Sequence, residues 1–85
     1  MKKLLVFSAD WCAPCAQLKP LIDEITQFEV VRYNVENDID KVHEYGVKQI
    51  PMVFVLDDDG SLMAQRHGGM NRSQLQQFLA PYVRI

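Results

Sequence analysis

The sequence predicts an α/β fold with a four-stranded mixed sheet and three helices. Three observations support this fold class: continuously apolar segments typical of buried strands, a helical pattern between strand-like segments, and a turn that predicts a hairpin. A strand–helix–strand opening requires parallel pairing through a right-handed crossover, whereas a hairpin adds antiparallel strands. The expected order is strand, helix, strand, helix, strand, strand, helix, with helices on both faces of the sheet.

The opening of the chain predicts the first strand and the first helix. Residues 3–7 contain a continuous apolar segment, which is typical of a strand buried on both faces. Within residues 14–27 the apolar positions recur at i, i+3, i+4 and i+7, which is the spacing of one helical stripe. The junction between the two therefore lies close to residue 12.

The next two elements are a strand and a short helix. Residues 29–35 have the composition of a strand. Asn37 or Asp38 can then cap a helix that runs to about residue 45. Gly46 is expected to end this helix in a left-handed conformation.

The last part of the chain predicts a hairpin followed by a helix. Residues 52–56 are continuously apolar, residues 57–60 supply turn chemistry, and residues 62–66 return as a strand. Asn71 and Gln74 have the spacing of a capping box, and an apolar stripe behind them predicts the final helix.

Length and composition limit the classes of protein to consider. With 85 residues, 48% of them hydrophobic, residues 1–85 can build one core and are expected to form one domain. Nine basic and eleven acidic residues give a net charge of −2, which predicts no general affinity for nucleic acid or anionic membrane. The first apolar segment is too short for a signal peptide, and no segment has the length of a membrane span. We therefore expect a cytoplasmic location, where thiols are kept reduced.

Cys12 and Cys15 are the main candidates for chemistry, because they lie where the first strand gives way to the first helix. A thiol at a helix N-terminus meets free backbone N–H groups and the positive end of the helix dipole, and both favour the thiolate. Thiolate is the attacking species in disulfide exchange, so Cys12 is expected to be the nucleophile. Cys15 lies one turn further in, where it is expected to be more buried and to resolve a mixed disulfide.

Three other interpretations of this cysteine pair involve no redox chemistry. A structural disulfide would close one of the shortest possible loops and so would stabilise the fold little. A structural zinc site needs four ligands, and the remaining candidates, His43 and His67, do not have zinc-finger spacing. The third interpretation is a coincidental spacing within a core. Redox chemistry is preferred to all three, because a Cys-x-x-Cys motif in a strand–helix context is typical of it.

The segment Trp11-Cys12-Ala13-Pro14-Cys15 after a buried strand resembles the thioredoxin superfamily. The resemblance implies a thioredoxin fold without the extra N-terminal strand and helix of full-length thioredoxins, which is a minimal glutaredoxin-like core. Further positions that match the family pattern are Pro20, Ile50-Pro51, Asp59-Gly60 and Gly68-Gly69.

The resemblance also implies a substrate-binding surface around the cysteine pair. Pro51 would be a cis-proline that faces the cysteines, and the backbone of Ile50 would pair with an extended substrate. Gly68 and Gly69 would leave room for substrate, or would simply form a strand-to-helix turn. Trp11 would be a docking surface or an ordinary rim or core aromatic residue. The implied substrate-binding residues are Trp11, Ala13, Pro14, Ile50, Pro51, Gly68 and Gly69.

The chain departs from the family pattern at positions near the cysteines. Val6 occupies the position of the buried aspartate that accepts the proton of the second cysteine in thioredoxins, and Ala13 replaces a glycine. Arg32 takes the position of the lysine that pairs with that aspartate, so its side chain is expected to reach solvent. Asp10 can change the electrostatic potential near the cysteines, although an exposed loop carboxylate without a role is the simpler interpretation.

The resemblance implies reduction of protein disulfides by dithiol exchange, in a monomer that needs no metal and no cofactor beyond its own redox-active disulfide. Electrons would come from a thioredoxin reductase or from the glutathione system. Glutathione-dependent reduction stays open, because Met70 and Asn71 are similar to the glutathione-binding turn of glutaredoxins. A non-redox binding module also stays open, as does a metal or iron–sulfur carrier in which two chains share their cysteine pairs.

Overall fold

The computed structural model describes residues 1–83; Arg84 and Ile85, the end of the expected domain 1–85, lie outside the described residues. None of the helices in this described part has the length and apolarity of a membrane span. The elements are β1 (Lys3–Ser8), α1 (Ala13–Asp23), β2 (Glu29–Asn34), α2 (Ile39–Tyr45), β3 (Met52–Leu56), β4 (Leu62–His67) and α3 (Arg72–Leu79), with a final 3-10 turn (Ala80–Tyr82).

The four strands form one mixed sheet in the order β2-β1-β3-β4. β1 pairs in parallel with β2, so that Val6 lies opposite Arg32, whereas β1–β3 and β3–β4 are antiparallel. The predicted mixed sheet, with a parallel opening and a hairpin, is confirmed. Because β1 and β3 run in opposite directions, the loop that follows β1 lies beside the segment that precedes β3. This juxtaposition brings the two parts of the site together.

Alternation along β1 divides the core into two layers. Leu4 and Val6 pack with buried residues of α1 and α3 on one face of the sheet, and Leu5 and Phe7 pack with α2 on the other. The Phe7 ring meets the Phe54 ring edge-on, with centroids 5.7 Å apart. Helices therefore cover both faces of this strand, which explains why its apolar residues are continuous rather than alternating.

The first helix is shorter than the predicted span 14–27, and it ends at Asp23. The amide of Ile25 donates to the carbonyl of Ile22 at 3.0 Å, which tightens the last turn. Phe28 is then drawn into the core, and this burial directs the chain into β2. β1, β2 and β4 differ from their predicted bounds by one residue at the C-terminal end.

The capping box of α3 is confirmed. The amide of Gln74 donates to Asn71 Oδ1 at 2.8 Å, and the amide of Asn71 donates to Gln74 Oε1 at 2.9 Å. α3 ends at Leu79, and the predicted apolar stripe extends into the 3-10 turn that follows the helix. Pro81 lies in this turn and has no amide hydrogen for a further helical bond.

The turns around α2 and the hairpin largely follow the sequence. Gly46 ends α2 in the left-handed conformation at φ 63°, as predicted. Asp38 is the N-cap of α2, but its side chain makes no bond into the helix; it accepts from the amide of Asn34 at 2.9 Å instead. In the hairpin the amide of Gly60 donates to the carbonyl of Asp57 at 2.9 Å.

Candidate active site

Cys12 is the N-cap of α1, and Cys15 is the third residue of that helix. The two form a disulfide with their Cα atoms 5.2 Å apart. The amide of Cys15 donates a hydrogen bond to Cys12 Sγ at 3.3 Å. A helix-terminal N–H directed at a sulfur stabilises negative charge on it, so the position of Cys12 favours a thiolate after reduction.

The predicted difference in burial between the two cysteines is wrong for the disulfide form. Cys12 is 7% exposed and Cys15 is 6% exposed. Both belong to a small cluster with Ala9, and Val35 and Ile50 pack against that cluster. These neighbours come from other parts of the chain, so the position of Cys12 before the helix does not by itself expose it.

The segment before β3 lies against the cysteines and is joined to the end of β4. The Ile50–Pro51 peptide bond is cis, and Pro51 is fully buried. The amide of Gly68 donates to the carbonyl of Pro51 at 2.8 Å. Gly68 has φ +91°, a conformation that side-chain-bearing residues rarely adopt. A Cβ at Gly69 would lie 3.4 Å from Pro14 Cβ, so the glycine pair also lies beside the start of α1.

The backbone of Ile50, which precedes β3, takes no part in the hydrogen bonding of the sheet. Among residues 1–83, neither its amide nor its carbonyl makes a backbone hydrogen bond. This is the arrangement that pairing with an extended peptide requires.

Trp11 is 70% exposed, which excludes the interpretation as a core aromatic residue. Its indole Nε1 donates to Glu36 Oε1 at 2.5 Å. Trp11, Val35, Val47 and Ile50 contribute to a cleft of about 190 Å³ beside the disulfide. An apolar cleft with one exposed aromatic wall can accept an apolar side chain of a bound peptide.

A second cleft of about 260 Å³ lies on the other side of the cysteine pair, where it reaches Cys15. Val6 contributes its apolar side chain there, and it is 4% exposed. Asp10, Lys19 and Arg32 supply the charged groups of the lining. Thus the position opposite Cys15 that would hold a buried carboxylate in typical thioredoxins is apolar, and the charges lie around it.

Arg32 is exposed as expected, but its side chain is bound to another residue. It forms an ion pair with Asp23 Oδ1, and Lys19 Nζ lies 3.0 Å from Asp23 Oδ2. The hydrogen bond from Lys19 and the nearby Arg32 guanidinium hold the pKa of Asp23 below its ordinary value. Both cations of the cleft are therefore held at its edge by one carboxylate.

The two histidines lie on different elements from the cysteines. His43 is in the last turn of α2, and His67 is the last residue of β4. Within residues 1–83 no group of three or more histidine, cysteine, aspartate or glutamate side chains is arranged to hold a metal ion. The histidines therefore add no third ligand to the cysteine pair in the described part of the chain.

Sequence reasoning missed two partners near the site: Glu36 beside Trp11, and Asp23 beside Arg32. Glu36 follows β2, and the parallel pairing of β1 with β2 places it near the loop that follows β1. The predicted parallel pairing therefore contained a signal for Glu36. No comparable signal exists for Asp23, because its contact depends on how α1 packs across β2.

Comparisons with known proteins agree with this fold and site. The thioredoxin family model matches residues 1–81. A thioredoxin from Pseudomonas aeruginosa is 33% identical over 81 residues, which span 89% of this chain and 74% of that protein. A thioredoxin from Haemophilus influenzae is 28% identical over 85 residues, with 94% and 78% covered. A solved mutant thioredoxin from Halobacterium salinarum NRC-1 superposes with a TM-score of 0.88 at 26% identity, covering 99% of this chain and 76% of that one.

The fold and the cysteine pair at disulfide distance define a redox protein with the thioredoxin fold. The chain belongs to the thioredoxin family. It is an enzyme, a thiol–disulfide oxidoreductase that acts on protein disulfides, and its redox-active group is the Cys12–Cys15 disulfide.

Proposed function

We propose that this oxidoreductase works in the reducing direction, with Cys12 as the attacking thiol and Cys15 as the resolving thiol. The observation that carries the proposal is the position of Cys12 Sγ at the N-terminus of α1, 3.3 Å from the amide of Cys15. That amide and the helix dipole favour a thiolate at Cys12. Cys15 lies within the helix, bonded to Cys12, so its sulfur is in position to attack Cys12 Sγ after substrate has reacted there.

The proposed reaction takes place in two exchange steps. The Cys12 thiolate attacks one sulfur of a substrate disulfide, forms a mixed disulfide and releases the other substrate sulfur as a thiolate. Cys15 then loses its proton and attacks Cys12 Sγ, which breaks the mixed disulfide and forms Cys12–Cys15. The substrate gains two electrons and becomes a dithiol, while the enzyme is oxidised to the disulfide.

The proposed substrate-binding surface surrounds the disulfide on three sides. Trp11 and the apolar cleft beside it would hold a side chain of the substrate. The free backbone groups of Ile50 would pair with the substrate main chain. The remaining proposed contact residues, which adjoin these two features, are Ala13, Pro14, Pro51, Gly68 and Gly69.

The finer assignments of partner and location belong to the same proposal. We expect electrons to come from a thioredoxin reductase or, alternatively, from the glutathione system, because the oxidised pair must be reduced after each turnover. We expect a monomeric, single-domain enzyme in the cytoplasm, where the surroundings keep thiols reduced. No metal ion or additional cofactor is required by the proposed steps.

The order of attack is tested by replacing each cysteine separately in the full chain. Cys12→Ser should abolish reduction of a protein disulfide and should form no mixed disulfide with it. Cys15→Ser should still form that mixed disulfide and retain it. If Cys12→Ser reduces the substrate as well as the unmodified enzyme does, the proposed role of Cys12 is wrong.

The direction of reaction is tested by equilibrating the cysteine pair with glutathione at known ratios of its reduced and oxidised forms. A pair that stays oxidised until glutathione is strongly reducing belongs to a reductase. A pair that is reduced easily would instead favour an enzyme that introduces disulfides, and the proposed direction would be reversed.

A further inference from the structure

Cys15 must lose its thiol proton before it can resolve the mixed disulfide, so a group near Cys15 must accept that proton. The cleft that reaches Cys15 is where such a group can lie. Cys15 is 6% exposed, so its thiol has little direct contact with solvent. It does line the cleft of about 260 Å³ described above. Because each water occupies roughly 30 Å³ in the liquid, this volume can hold several water molecules between the thiol and other cleft groups.

Among residues 1–83, the lining of this cleft contains a single side chain that can take up a proton from a thiol. Lys19 and Arg32 are already protonated cations, and Ser8 carries a hydroxyl that is a poor base. The remaining lining is apolar apart from Cys15 and Asp10. Asp10 carries the only carboxylate that the described part of the chain places in the lining, since the Asp23 carboxylate lies outside it and is bound to both cations.

We propose that Asp10 is the proton acceptor for Cys15 during resolution of the mixed disulfide, acting through water in the cleft. The inference rests on the proposed role of Cys15. The thiol proton of Cys15 passes to a water molecule, and a proton of that water passes to the Asp10 carboxylate. The resulting thiolate attacks Cys12 Sγ, the bond from Cys12 to the substrate breaks, and the substrate sulfur leaves as a thiolate.

The surroundings of Asp10 suit this role. Asp10 is exposed and precedes Trp11 in the loop between β1 and α1, so it can return the proton to solvent after each turnover. The acidic and basic groups in the lining are Asp10 from this loop, Lys19 from α1 and Arg32 from β2, and Asp23 of α1 binds both cations from outside the lining. Since Asp23 already occupies both cations, Asp10 is not tied to either of them by a hydrogen bond or ion pair among residues 1–83.

The two possible roles of Asp10 predict opposite results when its charge is removed. If Asp10 is only a negative charge near Cys15, Asp10→Asn removes a repulsion from the developing thiolate and should speed up resolution. If Asp10 is the proton acceptor, the same substitution should slow resolution. The direction of the change therefore separates the two roles.

The test measures the resolution step directly. Reduced enzyme is mixed in a stopped-flow instrument with dithiobis(nitrobenzoate), a small aromatic disulfide that releases a coloured thiolate. The first release reports the attack by Cys12, and the second, which does not depend on reagent concentration, reports the attack by Cys15. Cys15→Ser should show the first release alone.

We expect Asp10→Asn to slow the second release by about tenfold at neutral pH, below the hundredfold or more typical of enclosed general bases, because the cleft is open to solvent. Asp10→Glu should behave like the unmodified enzyme. The difference should disappear above about pH 9, where hydroxide removes the thiol proton. Asp40→Asn, which removes an exposed carboxylate in α2, is the matched control and should leave the second release unchanged.

An equal or faster second release in Asp10→Asn would overturn the proposal, and so would an Asp10→Glu enzyme that is as slow as Asp10→Asn. Absence of the second release from the unmodified enzyme would instead contradict the proposed order of attack, and the inference about Asp10 would fail with it. A normal second release in the unmodified enzyme that does not change in Asp10→Asn rejects the role of Asp10 alone.

Discussion

The two sides of the Cys12–Cys15 disulfide differ in their chemistry. On the side of Trp11, a cleft of about 190 Å³ is lined mainly by apolar side chains, with the free backbone of Ile50 next to it. On the side of Cys15, a cleft of about 260 Å³ combines an apolar lining with Asp10 and two cations. We propose that the first cleft binds a peptide substrate and that the second takes up the thiol proton.

The roles proposed for the two clefts separate substrate recognition from acid–base chemistry within one small domain. Cys12 and Cys15 are equally buried, so exposure does not distinguish their roles. Their neighbours do: Cys12 is the helix cap beside the exposed Trp11, and Cys15 faces the charged cleft. Variants that act on one side only should therefore affect binding or resolution separately.

The largest effect is expected for Cys15→Ser. Without the second thiol, release of substrate depends on a thiol from solution instead of a neighbour held at high effective concentration. Turnover of a protein disulfide should fall by about a thousandfold or more, with the mixed disulfide accumulating. Mass spectrometry of the stalled enzyme and steady-state rates provide the measurement. Turnover of a glutathionylated peptide that survives in Cys15→Ser would favour the glutaredoxin route instead.

A smaller effect is expected for Trp11→Ala, which removes the aromatic wall of the peptide cleft. Loss of this apolar contact area should raise the KM for a protein disulfide by about tenfold. The value of kcat and the rate of both releases with the small aromatic disulfide should stay the same, because these do not use the cleft. Steady-state kinetics with both substrates measures the effect.

Leu62→Ala is the control for Trp11→Ala. Leu62 is an exposed apolar residue at the start of β4, at the end of the sheet away from the disulfide. It should leave KM unchanged. An equal rise of KM in both variants, or none in Trp11→Ala, would contradict the proposed docking role of Trp11.

Glu36→Gln should have a weaker effect on the same side. The carboxylate accepts a hydrogen bond from the Trp11 indole at 2.5 Å, and a neutral amide would hold the ring less firmly. We expect the KM for a protein disulfide to rise by about twofold to threefold, since the bond is exposed to solvent. Because Trp11 is the only tryptophan, its fluorescence should change as well. Glu29→Gln, at the other end of β2, should change neither quantity.

The smallest effect is expected for Lys19→Met, at the edge of the Cys15 cleft. The hydrogen bond from Lys19 lowers the pKa of Asp23, with Arg32 acting in the same direction, so the substitution should bring that pKa back towards its ordinary value. A lowered pKa in the folded state means that the interaction stabilises the fold above the ordinary pKa of the carboxyl and is lost as the pH falls through the lowered one. The stability difference between the two enzymes should therefore vanish in acid.

NMR titration of the carboxyl groups measures this shift. The pKa of Asp59 is lowered by hydrogen bonds with Ser61, far from Lys19 in the hairpin, and should stay unchanged as an internal control. If the pKa of Asp23 does not change in Lys19→Met, Lys19 does not bind this carboxylate, and the ion pairing described at the edge of the Cys15 cleft is wrong.

Much of the fold could be predicted because local patterns and core packing agree. The continuous apolar segments of β1 and β3 are buried on both faces, and the capping box of Asn71 and Gln74 forms as expected. Cys12 caps α1 where the strand-to-helix junction was predicted. The apolar segments, the capping box and the helix cap each involve residues within a few positions along the chain, so their signals are visible in the sequence.

Other features of the site were not predictable in the same way. Arg32 reaches solvent as expected, but its ion pair with Asp23 of α1 was not predicted. Cys15 was expected to be more buried than Cys12, but Val35 and Ile50 pack against the cluster that contains both. Each of these outcomes depends on side chains from distant parts of the chain, whose positions follow from strand register and helix packing.

The order of the elements and the identity of the reactive pair followed from the sequence alone, because helix caps, apolar periodicity and the Cys-x-x-Cys spacing are local properties. The surroundings of each sulfur depended instead on the packed fold. The parallel pairing of β1 with β2 and the antiparallel pairing of β1 with β3 bring three separate segments to one end of the sheet. Contacts between such segments arise only when all the elements are packed together, and no short stretch of sequence contains them.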